Sequence, residues 1–443
     1  MAIDSLLNYF KKPVFLSSLI CVFIFYSGLF NIPDKKGPAS LLKTEGISEI
    51  SGTILSSPAR TGKGSYYTAT FSLDQVADAR GFRSTARGRL KIMIPSELAE
   101  AYSPGKLYSQ SQAQTKAQAK SQSQAQSPAQ TSQAFLYEAG GHCVFRGRLS
   151  QDSFYVRECT AAFWPCSWRG RLQHFRALCR LHFKRLMYAW GSGGGLLLAL
   201  LCGAREYTDP ATSDAFRRAG LSHILALSGM HLSMFSAIAV FFGNKTGVRK
   251  LTFILRISAL LGFVWFAGFS PSLVRALICA LLTIAATIAG ARKPDMLSIL
   301  CFAFLLQSAF CPQDIHNAAF ILSYGALAGI LFTSSLFNRF YAKFSPKPIA
   351  SSLAAATGAQ TFTAPISLKI FGSFSPIGIV SSTVVSPFVT VFIYSGLVLI
   401  LLSLAFPILS KPSGIFINLQ YTVITYIVNI FSGVPNFCLE SGA

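Results

Sequence analysis

Residues 217–234, RRAGLSHILALSGMHLSM, form an apolar stretch that carries polar groups at the depth of a membrane helix. His223, His231 and the pair Ser228-Gly229 lie inside it. Hydrocarbon penalises such groups, so their presence in a membrane segment indicates a functional site. On one continuous helix the two histidines would be about 80° apart. Ser228-Gly229 is able to break that helix, and broken backbone is tolerated only beside a cavity or inside protein. We therefore expect a lined aqueous path.

The composition of the whole chain predicts a polytopic α-helical membrane protein. Of its 443 residues, 51% are hydrophobic and 13% are charged, whereas soluble domains are about 25% charged. Nine apolar runs are long enough to be candidate spans; they are residues 14–30, 221–242, 251–269, 272–291, 296–311, 318–335, 349–370, 377–404 and 415–431. With the N-terminus in the cytoplasm, the basic loops fall inside and the C-terminus outside, as the positive-inside rule requires.

Four domains are expected along the chain. Residues 1–31 read as a signal-anchor helix, residues 32–168 as an extracytoplasmic β domain, residues 169–204 as amphipathic and re-entrant or interfacial helices, and residues 205–443 as the multi-span domain. About five short alternating strands favour a small OB-like β-barrel, with a small sandwich as the alternative. A Gln/Ser/Ala-rich insert at 107–134 has too few apolar side chains to fold and is predicted to be disordered.

A hairpin centred on Gln151 would place Cys143 opposite Cys159. Directly opposite residues have Cβ atoms about 4.5–5.5 Å apart, and an exported domain is in an oxidising compartment. The spacing therefore predicts a disulfide, with two buried thiols in one small core as the alternative. Free alkylation of both thiols in intact cells without reductant would exclude the disulfide.

Basic residues are concentrated in the polar block, where residues 32–190 hold 22 Lys and Arg against 10 Asp and Glu. Residues 169–190 have a helical period. One side of the expected helix carries Leu172, Phe175, Cys179, Leu186 and Trp190, and the basic residues lie largely on the other. Such a helix lies in the headgroup plane and contacts either anionic lipid or a polyanionic substrate. The candidate polyanion contacts are Arg146, Arg148, Arg171, Arg176, Arg180, Lys184, Arg217 and Arg218.

Arg275, in FSPSLVRALICAL, lies about one turn inside a predicted span. It either snorkels to the outer surface or faces a pore, where a fixed positive charge favours an anion. The other polar residues expected to line the path are Arg205, His223, Ser228, Gly229, His231, Ser323 and Gln360. Neither a Walker-type loop nor zinc-ligand spacing occurs, so the sequence predicts no cofactor, no metal site and no motor on this chain.

Several segments resemble the ComEC family of competence proteins. The distinctive ones are FRRAGLSHILALSGMH and FSPSLVRA; softer matches are LLCGAREY, ILSYGALAG and residues 358–389. The resemblance implies an inner-membrane channel for single-stranded DNA uptake, supplied by DNA-delivery proteins and a cytoplasmic motor. Ala204, Ile321 and Ser382 depart from the family's polar pattern. Many members also carry a metallo-β-lactamase-like domain, but no HxHxDH occurs here, so no nuclease activity is expected of this chain.

Two other functions compete with that expectation. One is a transporter or lipid-modifying enzyme for a different anionic substrate, with the basic block as a headgroup anchor. The weaker one is intramembrane hydrolysis at Ser228, for which no supporting acid is evident. DNA binding would also use bases stacked on aromatic side chains of the β domain; the candidates are Tyr66, Tyr67, Phe145 and Tyr155.

Overall fold

A computed structural model describes residues 12–26, 39–40, 46–61, 65–100, 137–150, 153–291, 294–434 and 437–438. The insert predicted at 107–134 lies outside these residues. The chain divides into two compact units. The membrane unit comprises Met1–Ile32, Leu196–Gly203 and Thr208–Ala443, and the β unit comprises Pro33–Gly195 and Ala204–Tyr207.

Fourteen α-helices occur in the described residues. They are α1 Pro13–Tyr26, α2 Ser96–Glu100, α3 Trp168–Ala189, α4 Gly191–Cys202, α5 Pro210–Arg218, α6 Ser222–Leu225, α7 Gly229–Lys245, α8 Arg249–Ala267, α9 Pro271–Ile288, α10 Met296–Phe310, α11 Ala318–Tyr341, α12 Lys347–Phe371, α13 Gly378–Ala405 and α14 Ser410–Ser432. The strands are β1 Ala39–Ser40, β2 Ile47–Ile54, β3 Ala59–Arg60, β4 Tyr66–Asp78, β5 Arg83–Pro95, β6 His142–Ser150, β7 Ser153–Phe163, β8 Ser373–Phe374 and β9 Phe437–Cys438.

The β unit is built on a mixed sheet whose five long strands pair in a ring. β4 lies between β2 and β5 in antiparallel pairs, and β5 continues to β7 in a parallel pair. β7 pairs with β6, and β6 returns to β2. Alternate residues point inward, as expected for period-2 strands. The core they form includes Ile50, Phe71, Ile92, Phe145 and Phe154, all fully buried.

The predicted hairpin register is wrong. Cys159 lies opposite Phe145, and Cys143 lies opposite Ala162. The ladder begins with Ser150 opposite Ser153, one residue from the predicted register, and two β-bulges shift it by two more. One bulge is at Gly147, where a Cβ atom would come within 2.0 Å of the Tyr155 carbonyl oxygen. Both cysteines are free thiols on the same core. Their hydrogen bond lowers the pKa of Cys159. The disulfide itself stays a prediction.

A buried ion network attaches α3 to the rest of the β unit. Glu138, whose side chain is 7% exposed, contacts Lys184 at 3.1 Å and Arg180 at 3.7 Å. Lys184 also contacts Glu206 at 2.8 Å, and Ser57 donates a hydrogen bond to Glu138. Burial alone would raise the pKa of Glu138, but Lys184 and Arg180 lower it to about 2. These charges join segments that are far apart in sequence.

The network corrects the prediction that Arg180 and Lys184 contact a polyanion. Both face protein carboxylates, whereas Trp168 and Phe175 near the start of α3 are 66% and 57% exposed. Arg180 and Lys184 are therefore not available to lipid headgroups or to a polyanion. Trp190, expected on the apolar stripe, is buried. The predicted apolar side of α3 is therefore divided between exposed and buried residues, and acids elsewhere in the chain determine where Arg180 and Lys184 lie.

The membrane unit is a multi-pass helical structure. Of the nine predicted spans, five correspond to described helices that are long and apolar enough to cross a bilayer: α8, α9, α11, α13 and the region of α14. The helices α1, α4 and α10 are apolar but shorter. α1 and α10 run in the same direction, since Lys12 pairs with Asp295 at one end and Tyr26 donates to the Ile315 carbonyl at the other.

Two segments differ from the prediction in the membrane unit. Within residues 169–204, predicted to hold re-entrant or interfacial helices, α4 begins at Gly191, and residues 196–202 are buried on all sides. A helix that is apolar all round is typical of a protein interior, so α4 does not lie at the lipid surface. The span expected over 221–242 is interrupted between α6 and α7.

Glu138→Gln should destabilise the β unit by about 3–5 kcal/mol, because it leaves Arg180 and Lys184 buried without their carboxylate. Hydrogen exchange of the full-length protein should show lost protection in β6 and α3. In the wild type, the ionised Glu138 contributes to the free energy of unfolding at every pH above the usual glutamate pKa of about 4.3. Because its pKa in the folded protein is about 2, this contribution is lost as the pH falls toward 2. Arg146→Gln, which removes an exposed pair with Glu49, is the control and should cost about 0–1 kcal/mol. Equal protection in the two variants would contradict this account.

Candidate functional site

The helix break predicted near Ser228-Gly229 is present in the structure. α6 ends at Leu225, and α7 begins at Gly229 with Ser228 as its N-cap residue. The Ser228 backbone N–H donates to His231 Nδ1 at 3.3 Å. His231 is fully buried, and its Nε2 has no hydrogen-bond partner among the described residues. The partial positive charge at the N-terminus of α7 favours an anion here.

Arg275 comes from α9 to the same place. It is 8% exposed, so it does not snorkel to the surface. Its Nη2 lies 3.6 Å from the position that a Cβ on Gly229 would occupy, so the N-terminus of α7 and the guanidinium are neighbours. The Arg275 Nε is buried without a hydrogen-bond partner in the described part of the chain. The group therefore brings a positive charge into the membrane unit beside a positively polarised helix end.

Three neighbouring helices hold Arg275 in position. Its guanidinium lies 5.9 Å from the centre of the Tyr324 ring, a cation–π distance. The Tyr324 hydroxyl donates to Gln307 Oε1 at 2.9 Å, and Gln307 Nε2 donates to the Pro271 carbonyl at 3.1 Å. Ser323 donates to Ser272 at 3.0 Å. α9, α10 and α11 are thus fixed around the arginine by neutral groups, and none of these groups cancels its charge.

Gln360 belongs to a second cluster. A Cβ on Gly378 would lie 2.6 Å from Gln360 Nε2, and a Cβ on Gly220 would lie 2.7 Å from the Gly378 Cα. The Ser381 hydroxyl donates to the Ala219 carbonyl at 2.6 Å. The end of α5 therefore docks on the start of α13 through two glycines. The buried Gln360 Oε1 has no hydrogen-bond partner among the described residues.

The remaining predicted residues do not form one site. Arg205 is exposed in the β unit, and His223 is exposed on α6. Arg217 pairs with Asp214 at 3.3 Å. Among the proposed polyanion contacts, those that are exposed are Arg146, Arg148, Arg171, Arg217 and Arg218, while Arg176 is half-buried. Phe145 is buried in the core and cannot stack on a base.

The structure adds residues that the sequence analysis did not select. Gln307 and Tyr324 support Arg275; a polar Gln in the run FAFLLQSAF was the available signal. On the β unit, β5 carries an exposed basic row of Arg83, Arg87, Arg89 and Lys91. Their spacing places them all on one face of the strand, a period-2 pattern that is visible in RSTARGRLK. Tyr66 and Tyr155 pair edge-to-face at 5.8 Å.

A family model described as "Competence protein" matches residues 200–442. This match covers more than half of the chain and includes the broken helix and Arg275. The chain belongs to the competence protein family. The resemblance to ComEC proteins is thereby confirmed.

Curated relatives agree with the family model. ComE operon protein 3 of Bacillus subtilis is 28% identical over 214 residues, covering 48% of this chain and 27% of that protein. Recombination protein 2 of Haemophilus influenzae is 28% identical over 228 residues, covering 48% and 28%. An uncharacterized protein of Aquifex aeolicus is 26% identical over 245 residues, covering 53% of each chain. The chain thus matches between about a quarter and a half of the length of these relatives. No solved structure matches.

Gly220→Ala should lower the thermal stability of the full-length protein in detergent more than Gly247→Ala does. Both glycines have positive φ, +73° and +69°, so both substitutions cost about 1–2 kcal/mol of backbone strain. Only at Gly220 does the new Cβ meet backbone, the Gly378 Cα; at Gly247 nothing lies within 4 Å. The difference between the two melting temperatures reports the cost of separating α5 from α13. A larger fall in melting temperature for Gly247→Ala than for Gly220→Ala would contradict the close contact between these helices.

Proposed function

We propose that this protein forms an inner-membrane path for a polyanion, single-stranded DNA, in natural competence. The observation that supports this proposal most directly is the position of Arg275. It is buried beside the N-terminus of α7, and its Nε has no hydrogen-bond partner among the described residues. An arginine at membrane depth costs about 2.5–3.5 kcal/mol or more. A phosphodiester backbone supplies the negative charge that the surrounding neutral groups do not supply. Membership of the competence family supports DNA as that polyanion.

The β unit is proposed to collect the strand outside the membrane. Its ring of pairings, with one parallel contact between β5 and β7, supports the proposal of an OB-like five-stranded barrel. The basic row on β5 neutralises phosphates, and the pair Tyr66 and Tyr155 offers a stacking surface.

Oligonucleotide binding should weaken steeply with salt, and Lys91→Gln should reduce the salt slope by about 1. An unchanged salt dependence of binding in Lys91→Gln would contradict a contact between Lys91 and a phosphate.

We also propose that α3 anchors to lipid. Its outward stripe of Trp168, Leu172 and Phe175 is apolar, and Arg169 and Arg171 are exposed near it. An apolar face with flanking basic residues is typical of an interfacial helix. Quenching of Trp168 fluorescence by brominated lipids would support this placement, and quenching no stronger than in a Trp168→Phe variant would exclude it.

The proposed orientation has a cytoplasmic N-terminus, with the β unit and C-terminus outside. DNA-delivery proteins outside and a motor inside are the proposed partners. The competing function, transport or lipid modification of another small anion, would also use Arg275 but would not need the basic row on β5. Ser228 Oγ lies 3.4 Å from His231 Nδ1, but the same nitrogen also accepts the Ser228 backbone N–H at 3.3 Å. Hydrolysis at Ser228 is disfavoured, because no salt bridge among the described residues joins a carboxylate to His231.

Arg275→Gln should reduce the entry of a fluorescent single-stranded oligonucleotide into vesicles that contain the full-length protein and an inward driving force. The expected loss is about 10- to 100-fold, since a hydrogen-bonded charged contact is worth about 1.5–3 kcal/mol. Arg339→Gln, which removes an exposed arginine in the last turn of α11, is the control for loss of one positive charge and should retain entry. Equal entry for Arg275→Gln and wild type would contradict a role for Arg275. No entry with the wild type would contradict the proposed function.

A further inference from the structure

A second arginine lies at mid-depth in the membrane unit, in the run LTFILRISALLGF of α8. Arg256 is the eighth residue of this 19-residue helix, about 10 Å from one end and about 17 Å from the other. It is not among the residues predicted from the sequence to line the path. A charged residue at the middle of a membrane helix is rare and, when it faces protein, marks a path or a partner.

Arg256 is on the protein-facing side of α8. The buried residues of this helix, Leu260, Val264 and Ala267, define one stripe. At 100° per residue, Arg256 lies within about 40° of Leu260, four positions before it. The opposite side carries Ile254 and Leu261, which are 59% and 48% exposed. The side chain therefore starts inside the helix bundle and not at the lipid.

A neutral side chain holds the guanidinium at this depth. Arg256 Nε donates to Ser236 Oγ at 2.7 Å, and Ser236 is a buried residue near the middle of α7. Among the described residues, the salt bridges include no carboxylate partner for Arg256. A hydroxyl satisfies one N–H but leaves the positive charge in place. The contrast with Arg180, which is buried against Glu138, is clear.

Arg256 and Arg275 approach the same face of α7. Arg275 lies beside Gly229 and Arg256 beside Ser236. These α7 residues are seven positions apart, which places them within about 20° around the helix and about 10 Å apart along it. α7, α8 and α9 also share one apolar core, with Leu232, Leu260 and Leu273 in it. Two unneutralised guanidinium groups are thus stacked two turns apart along one helix face.

We propose that Arg256 is a second anion site, at mid-membrane, which receives a backbone phosphate of the strand after it has passed Arg275. This inference rests on the proposed function and adds a contact to it. The ligand class is a polyanion with closely spaced charges, because only such a ligand can neutralise both arginines at once. A single small anion would occupy one of the two positions.

A photo-crosslinker placed next to Arg256 tests whether the DNA strand passes close to this arginine. Phe253 is half-buried on the same stripe of α8, and Leu261 is on the exposed side. With p-benzoylphenylalanine at each position in the full-length protein, a labelled oligonucleotide held in transit should crosslink at 253 and not at 261. Crosslinking at neither position, or only at 261, while crosslinking beside Arg275 persists, would overturn the inference and leave the proposed function standing.

Three variants in the vesicle assay distinguish a role of the Arg256 charge from a structural role of its side chain. Arg256→Gln should reduce oligonucleotide entry about 10-fold or more, Arg256→Lys should recover most of it, and Ser236→Ala should lose at most about 3-fold, because the charge remains. Equal melting temperatures for the wild type and Arg256→Gln are expected. Normal entry with Arg256→Gln would overturn the inference. So would equal losses in all three variants, which would assign Arg256 a structural role. Failure of the wild type to admit DNA would instead reject the proposed function.

Discussion

The membrane unit is governed by the cost of placing charge and unpaired backbone in a medium without water. Each polar group in such a medium needs a partner within the protein or a ligand. Most groups here meet that requirement locally, as the Gln307 amide does with Tyr324 and Pro271. Three features keep a positive charge that no salt bridge among the described residues neutralises: the N-terminus of α7, Arg275 and Arg256. These three features lie along one helix, and they make the bundle interior positive where an ordinary helical core would be neutral.

In the β unit, buried basic side chains are paired with carboxylates. Arg180 and Lys184 are as deeply buried as Arg275, but Glu138 and Glu206 neutralise them. Breaking such a network is strongly destabilising, so its role is to hold α3 and the segment before β6 together. Among the described residues, no salt bridge joins Arg256 or Arg275 to a carboxylate, in contrast to Arg180. This contrast supports a functional role for the two arginines of the membrane unit.

Sequence reasoning reached the class of the protein and the position of its helix break, because both depend on local composition. Ser228-Gly229 inside an apolar run is a local signal. The direction of α3 was not predictable, since it depends on Glu138, about 40 positions away in the chain. The predicted hairpin register was wrong because the ladder begins with Ser150 opposite Ser153 and because two bulges add Arg157 and Thr160 to β7. Arg256 was visible in the sequence, but only the buried stripe of α8 shows that it faces inward.

The central claim is that unneutralised arginines make the path selective for anions. The reversal potential of the wild-type protein in a planar bilayer, under a salt gradient, tests it most directly. The account predicts a reversal potential of the sign that anion conduction gives, moving toward zero in the double variant Arg256→Gln and Arg275→Gln. A cation-selective wild type, or anion selectivity that is unchanged in the double variant, would contradict it.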